Sequence, residues 1–242
     1  MMTEEIFRAD HYAQRCESEV VAVDERGIQL NRTVFYPLGG GQPGDEGILT
    51  LPDRRVVRIT DTRKGTAPGE ILHIPASDQP VLRPGDKVTA TIDWDRRYRF
   101  MRMHTCLHLL CAVVPAGVTG GQIGDGKGRL DFDTPDALDK EQIAESLNRL
   151  IQGDYPVGVR WISDEELAAK PKLVRTMSVK PPMGLGRVRL LEIEGIDLQP
   201  CGGTHVARTG EIGPIRVVKI ESKGKRNRRV NLAFADENAA GA

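Results

Sequence analysis

With 242 residues, 39% hydrophobic and 28% charged, the chain has the make-up of an ordinary globular protein of one large or two moderate domains, not of a disordered one. Lys+Arg and Asp+Glu balance at 34 each, which excludes a globally basic nucleic-acid binder; a nucleic-acid partner would have to be met by a local basic patch. The opening MMTEEIFRADHYAQRC lacks an export signal's apolar core, and the longest nearly uncharged apolar run, Leu107 to Val118, falls short of the about 20 residues that cross a bilayer.

The first ninety or so residues alternate apolar and polar side chains in short segments, Ser18 to Val23, Ile28 to Phe35, Arg55 to Thr60 and Lys87 to Trp94, separated by Gly, Pro and Asp turns. In the last of these Val88, Ala90, Ile92 and Trp94 fall on one face, after the turn 83-RPGD-86. The period then becomes helical. Arg96 to Val114 contains no Gly or Pro, and Pro115 with Gly117 ends it. A second helix is predicted from Thr134 as cap with Pro135 at its first position, and a third from Ser163, with Glu166 completing a capping box. Strands return at Gly186 to Glu194, Pro214 to Glu221 and Arg228 to Phe234. These changes predict a boundary near Asp93 to Arg97, with a β-domain before it and an α+β domain after it.

Within the long helix, 101-MRMHTCLHLLC-111 sets His104 and His108 four apart, on one face and able to converge on one metal ion. Later, 199-QPCGGTHV-206 separates Cys201 from His205 by two glycines and a threonine, a spacing that lets a turn bring thiolate and imidazole to one point. Together they predict a Zn2+ site. Cys106 lies roughly 200° around the helix from His104, which argues against it as a ligand, whereas Cys111 shares the histidine face and is a competing ligand, although a small buried residue one turn beyond the site is the expected role. His11 and His73 have no partner in spacing and are expected at the surface or in local hydrogen bonds. Four cysteines without a secretion signal fit free thiols in a reducing compartment, so a cytoplasmic protein is expected. Ligand number leaves the role of the metal open, because four protein ligands close a structural site and three plus water make a catalytic one.

The stretch 35-FYPLGGGQPGDEG-47 is neither a Walker loop nor a dinucleotide fingerprint. It is a tight turn or a place where backbone amides approach a ligand.

In this order, FYPLGGGQPGDEG, HTCLH, GKGRLDFD and QPCGGTH resemble the motifs of the editing module of alanyl-tRNA synthetase and of its free-standing AlaX-type relatives. The match runs from about Thr33 to the NRRVNLAF stretch, and the chain looks like the longer, two-domain free-standing type. The resemblance implies an α+β fold in which a small β-barrel-like N-terminal domain with the Gly-rich motif, residues 1–95, precedes a zinc-binding α+β editing domain, residues 96–242. It implies hydrolysis of the ester joining a wrong amino acid, serine or in some members glycine, to alanine-specific tRNA. His104, His108, Cys201 and His205 would be its zinc-site and catalytic residues. Gln122 and Thr119 would read the substrate, and Gly39, Gly40, Gly41 and Gln42 would lie near it at the domain interface. Zinc would bind the aminoacyl group or polarise the ester carbonyl while water attacks; Asp131 and Asp133 could serve as base, although salt-bridging is the commoner fate of such acids. Leu38 stands where relatives often carry a polar residue.

Two basic clusters are candidate tRNA contacts. One precedes the metal helix, with Arg96, Arg97, Arg99 and Arg102; the other is a hairpin tip with Lys219, Lys223, Lys225, Arg226, Arg228 and Arg229. No membrane or obligate protein partner is indicated. A non-catalytic zinc-stabilised tRNA-binding module and a zinc hydrolase acting on a small ester or amide are the alternative readings.

Overall fold

A computed structural model of the chain describes residues 2–170, 173–174 and 186–235. It is mixed and strand-rich, with a first compact unit ending at Tyr98 and a second beginning at Arg99.

The first unit contains β1 (Glu4–Glu5), α1 (Ile6–Ala9), β2 (Arg15–Asp24), β3 (Gly27–Leu30), β4 (Arg32–Thr33), β5 (Gly47–Thr50), β6 (Val56–Lys64), β7 (Ile71–Pro75) and β8 (Lys87–Ile92). Six strands close into a barrel in the order β2-β3-β7-β6-β5-β8, which leaves no free edge to recruit another chain. Alternation supplies its filling: Val88, Ala90 and Ile92 of β8 point inward and pack with Val20, Leu30, Leu49, Val57 and Ile59. The predicted strand to Trp94 stops earlier, at Ile92, because Asp93 caps a helix: its Oδ1 accepts the amide of Arg96 at 3.1 Å. The predicted strand Ile28 to Phe35 is likewise interrupted at Asn31, between β3 and β4.

His73 is buried rather than at the surface. Its Nδ1 donates to the Ile28 carbonyl at 3.0 Å, so its Nε2 accepts from the Thr33 hydroxyl at 2.8 Å. Burial pushes its pKa down to about 4. Arg97 is also enclosed, with no exposed surface. Its Nε lies 2.9 and 3.0 Å from the two carboxylate oxygens of Asp45, and Nη2 donates to the Val34 carbonyl at 2.6 Å.

Helix α2 (Trp94–Val113) begins in the first unit and continues into the second. The second unit adds β9 (Gly117–Gly124), β10 (Lys127–Asp133), α3 (Lys140–Gln152), β11 (Val157–Ser163), α4 (Asp164–Ala168), β12 (Arg187–Ile193), β13 (Asp197–Pro200), β14 (Ile215–Ser222) and β15 (Asn227–Phe234). One sheet runs β14-β15-β10-β9 and another β11-β12-β13. The glycine-rich segment after α2 is thus a strand, joined to β10 through Asp125 and Gly126, the latter at φ 64°. Gly128 of β10 lies against α2, where a Cβ would come within 2.8 Å of the Met103 side chain. Leu130 and Phe132, on the same face of β10, are buried.

Helix α3 starts later than predicted. Asp139, not Thr134, is the cap and accepts the Gln142 amide, while the Thr134 hydroxyl is used two residues on by the amide of Asp136. Ile143, Leu147 and Ile151 then form its buried stripe. The Ser163–Glu166 capping box forms as predicted. Among the described residues no helix is long and apolar enough to cross a membrane.

Candidate metal centre

From Phe100 to Cys111 nearly every side chain of α2 is buried, which takes its two histidines out of water and leaves their orientation to packing. His104 and His108, one turn apart, have ring centroids separated by 5.4 Å. The second pair arrives from β13. The Cys201 amide donates to the Arg189 carbonyl at 3.2 Å, and the Arg189 guanidinium donates through Nη1 to the carbonyls of Cys201 at 2.7 Å and Gly203 at 3.2 Å. Arg189 thereby fixes the glycine turn, and His205 comes within 4.3 Å of His104 and 5.0 Å of His108, ring to ring.

The ligand atoms of His104, His108, Cys201 and His205 all lie within 4.8 Å of one another. Cys201 Sγ is 3.6 Å from His104 Nε2 and 3.2 Å from His205 Nε2. Tetrahedral zinc with ordinary bond lengths sets sulfur and nitrogen ligands ~3.5 Å apart, so the donors match that ion in both kind and spacing. Among the described residues neither Cys106 nor Cys111 belongs to the group. Burial pushes the Cys106 thiol up to about 12.

Two hydrogen bonds that spacing alone does not reveal set the histidine tautomers. His108 Nδ1 donates to Asp197 Oδ2 at 3.0 Å, and Gln199 Nε2 donates to the same oxygen at 2.7 Å. Thr105 gives its hydroxyl proton to the Met101 carbonyl at 2.9 Å; its oxygen therefore accepts from the Val206 amide at 3.3 Å and from His205 Nδ1 at 3.2 Å. Both rings present Nε2 to the centre. Such outer partners orient metal ligands and raise their basicity.

The charges agree with that arrangement. Burial alone would raise the Cys201 thiol, but His104, His205 and His108 hold it well below its usual value, and the Gly203 amide donates to the sulfur at 3.4 Å. Burial lowers His108, yet Cys201 and the bond to Asp197 carry it up to about 9. His205 is held well below the usual histidine value by burial, against the pull of Cys201 and with the push of His104. One thiolate and three histidines form a group that could hold a metal ion, with donors of the kind that suit a soft to borderline divalent cation.

Gly39 and Gln42 exchange backbone hydrogen bonds at 3.1 and 3.0 Å around Gly40 and Gly41, whose φ of 59° and 82° define a turn that only glycine enters freely. Gln42 is buried and Leu38 exposed. Gln122 pairs in register with Arg129, on the face of β9 and β10 turned away from α2, and accepts from the Arg129 guanidinium at 3.2 Å. Thr119 occupies the bulge opposite Asp131 and Phe132 and donates to the Asp131 carbonyl at 3.2 Å. Asp131 is salt-bridged by Arg229 at 2.7 Å and Arg129 at 2.9 Å, and Asp133 by Arg226 at 3.0 Å.

Of the basic residues, Arg97 has no surface to offer a phosphate, and Arg96 is held by the Gly44 carbonyl at 2.6 Å and Glu46 at 3.1 Å. Arg99 pairs with Asp125, and Arg102 donates to the Ile212 carbonyl. At the β14–β15 tip Lys219 and Lys223 both reach Glu221, and Lys225 is exposed. Arg228 donates to the Pro135 carbonyl at 2.6 Å and the Gly224 carbonyl at 2.9 Å.

Comparison with known proteins agrees with these motifs. Residues 188–231 match the family model described as the threonyl and alanyl tRNA synthetase second additional domain, and residues 3–96 match that of class II (A) tRNA synthetases. The chain is 37% identical to the alanyl-tRNA editing protein AlaX-M of Methanosarcina acetivorans, over 97% of this chain and 100% of that protein. It is 36% identical to the AlaX-M protein of Saccharolobus solfataricus, over 95% and 98%. Against the alanine–tRNA ligase of Metallosphaera sedula it is 35% identical over 90% of its own length and 25% of the ligase. The chain belongs to the AlaX family of alanyl-tRNA editing proteins.

Proposed function

We propose that this chain is a trans-editing hydrolase, which removes serine or glycine from mischarged alanine-specific tRNA and spares alanyl-tRNA. The observation that carries the reading is the convergence of His104, His108, Cys201 and His205 in a chain related over nearly its whole length to proteins named for alanyl-tRNA editing. A second site of this kind answers a physical need. A pocket that admits a methyl side chain rejects glycine or serine by only about a hundredfold, whereas a site that hydrogen-bonds the serine hydroxyl penalises alanine by leaving buried polar groups unpaired.

His104, His108, Cys201 and His205 would hold Zn2+, which would supply a Lewis acid for the ester carbonyl and, with one of the four giving way or the coordination expanding, would lower the pKa of a bound water. The protein's own part is positional. Asp197 and Thr105 fix the Nε2 faces of His108 and His205, Arg189 fixes the turn bearing Cys201, and the surrounding burial excludes bulk water. Thr119, Gln122 and the Gly39–Gln42 turn remain part of the proposal as substrate-contacting elements. The exposed Lys225, with Lys223, Arg226 and Arg228, forms the proposed tRNA-contacting tip.

The test is release of serine from seryl-tRNA specific for alanine by the zinc-loaded protein, by the chelator-stripped protein and by the H104A variant. Turnover confined to the first supports the reading. Tight RNA binding with no turnover in any of the three would instead favour the non-catalytic tRNA-binding module, in which all four ligands close the site.

A further inference from the structure

Strand β11 is an edge strand of the β11-β12-β13 sheet among the described residues, and there a tryptophan faces solvent. Trp161 is 45% exposed and its neighbour on the same face, Val159, 41%. A solitary exposed apolar residue calls for no explanation, but this one is built upon: the Arg187 guanidinium carbon lies 4.6 Å from the indole centroid. The register places it further. Trp161 pairs with Arg189 of β12, and Leu190 pairs with Pro200, so the amide of Cys201 bonding to the Arg189 carbonyl extends the ladder by one residue. Trp161, Arg189 and Cys201 therefore form a row across one face of the sheet. Two strand spacings, about 10 Å, separate the indole's strand from the strand of the metal-site cysteine.

That spacing fits a nucleoside. In an aminoacyl-RNA the acyl group sits on the terminal ribose, so ester and base are separated by a single sugar. An ester carbonyl at the Cys201 end of the row leaves the base at the Trp161 end, over an aromatic surface with a guanidinium beside it for the adjoining phosphodiester. We propose that Trp161, backed by Arg187, is the stacking shelf for the terminal base of the aminoacyl-RNA substrate. The inference rests on the function proposed above and adds the residue that seats the end of the RNA. Stacking on an aromatic face is insensitive to sequence, as suits a terminal base that does not identify the tRNA.

The experiment uses two seryl esters of an acceptor-stem RNA, one with its natural terminal nucleoside and one with an abasic terminal ribose, and compares the zinc-loaded wild-type protein with W161A and W161F. Wild type is expected to show a KM about tenfold higher for the abasic ester with kcat little changed. W161A should show that higher KM for both esters, and W161F should regain most of the preference. Zinc affinity equal to wild type in W161A excludes misfolding as the cause. If W161A distinguishes the two esters as well as wild type does, or hydrolyses the natural ester with a normal KM, the shelf is overturned. Wild type that turns over both esters without preference defeats this inference alone, whereas wild type that turns over neither defeats the editing reading and the shelf with it.

Discussion

His108 Nδ1 lies 3.0 Å from Asp197 Oδ2, so a carboxylate on β13 fixes the face that a histidine on α2 presents to the metal centre. Replacing such a partner typically weakens metal binding by about 10- to 100-fold. D197N, which keeps the shape but offers a neutral amide, should lower zinc affinity by that amount in a chelator competition. Thr105 bonds His205 through a neutral hydroxyl, and T105V should weaken zinc by a smaller factor. Equal affinity in D197N and wild type would show that the carboxylate does not orient the ligand.

His73 makes the barrel sensitive to acid. Its folded pKa of about 4 lies below the ordinary histidine value of 6.5, so the unfolded chain binds a proton more readily. The stability it contributes is complete above pH ~6.5 and is lost as pH falls toward ~4, by about 3 kcal/mol in all. Urea unfolding across that window should show the loss in wild type and a flatter profile in H73Q, which cannot take up the proton.

Arg97 and Asp45 form a buried pair, and removing one partner leaves the other charge without compensation. R97M should destabilise the first unit by about 3 to 5 kcal/mol, and R97M/D45L by less than either single change implies. Neither should alter the salt dependence of RNA binding. A reduced salt slope in a folded R97M protein would return Arg97 to the phosphate contacts.

Lys225 gives the opposite expectation. As an exposed residue of the β14–β15 tip, K225A should leave stability unchanged, weaken tRNA binding and reduce the slope of log K against log salt by about 1. An unchanged slope would exclude this tip as a phosphate contact.

What could be read in advance was what chemistry or local geometry dictates. The two ligand pairs were legible because metal binding demands those side chains at turn or helix spacing, and β8 and α2 because their apolar periods differ. Arg97 was not, since its partner Asp45 stands 52 residues away and a basic run looks the same whether it faces solvent or a carboxylate. Glycines hid β9, which depends on pairing with β10 and not on intrinsic propensity. Thr134 and Asp139 are both good caps, and the winner was decided by where the buried stripe of Ile143, Leu147 and Ile151 had to begin. Asp197 did leave a trace, because Asp197, Gln199 and Cys201 alternate along one strand and so share a face.

Selective hydrolysis is read out by following amino-acid release from seryl-tRNA and alanyl-tRNA of the same alanine-specific tRNA with the zinc-loaded protein. Rapid loss of serine with alanine retained is the predicted result, with the discrimination located in a contact to the serine hydroxyl. Equal loss of both would contradict selectivity, and no loss of either would contradict the enzyme itself.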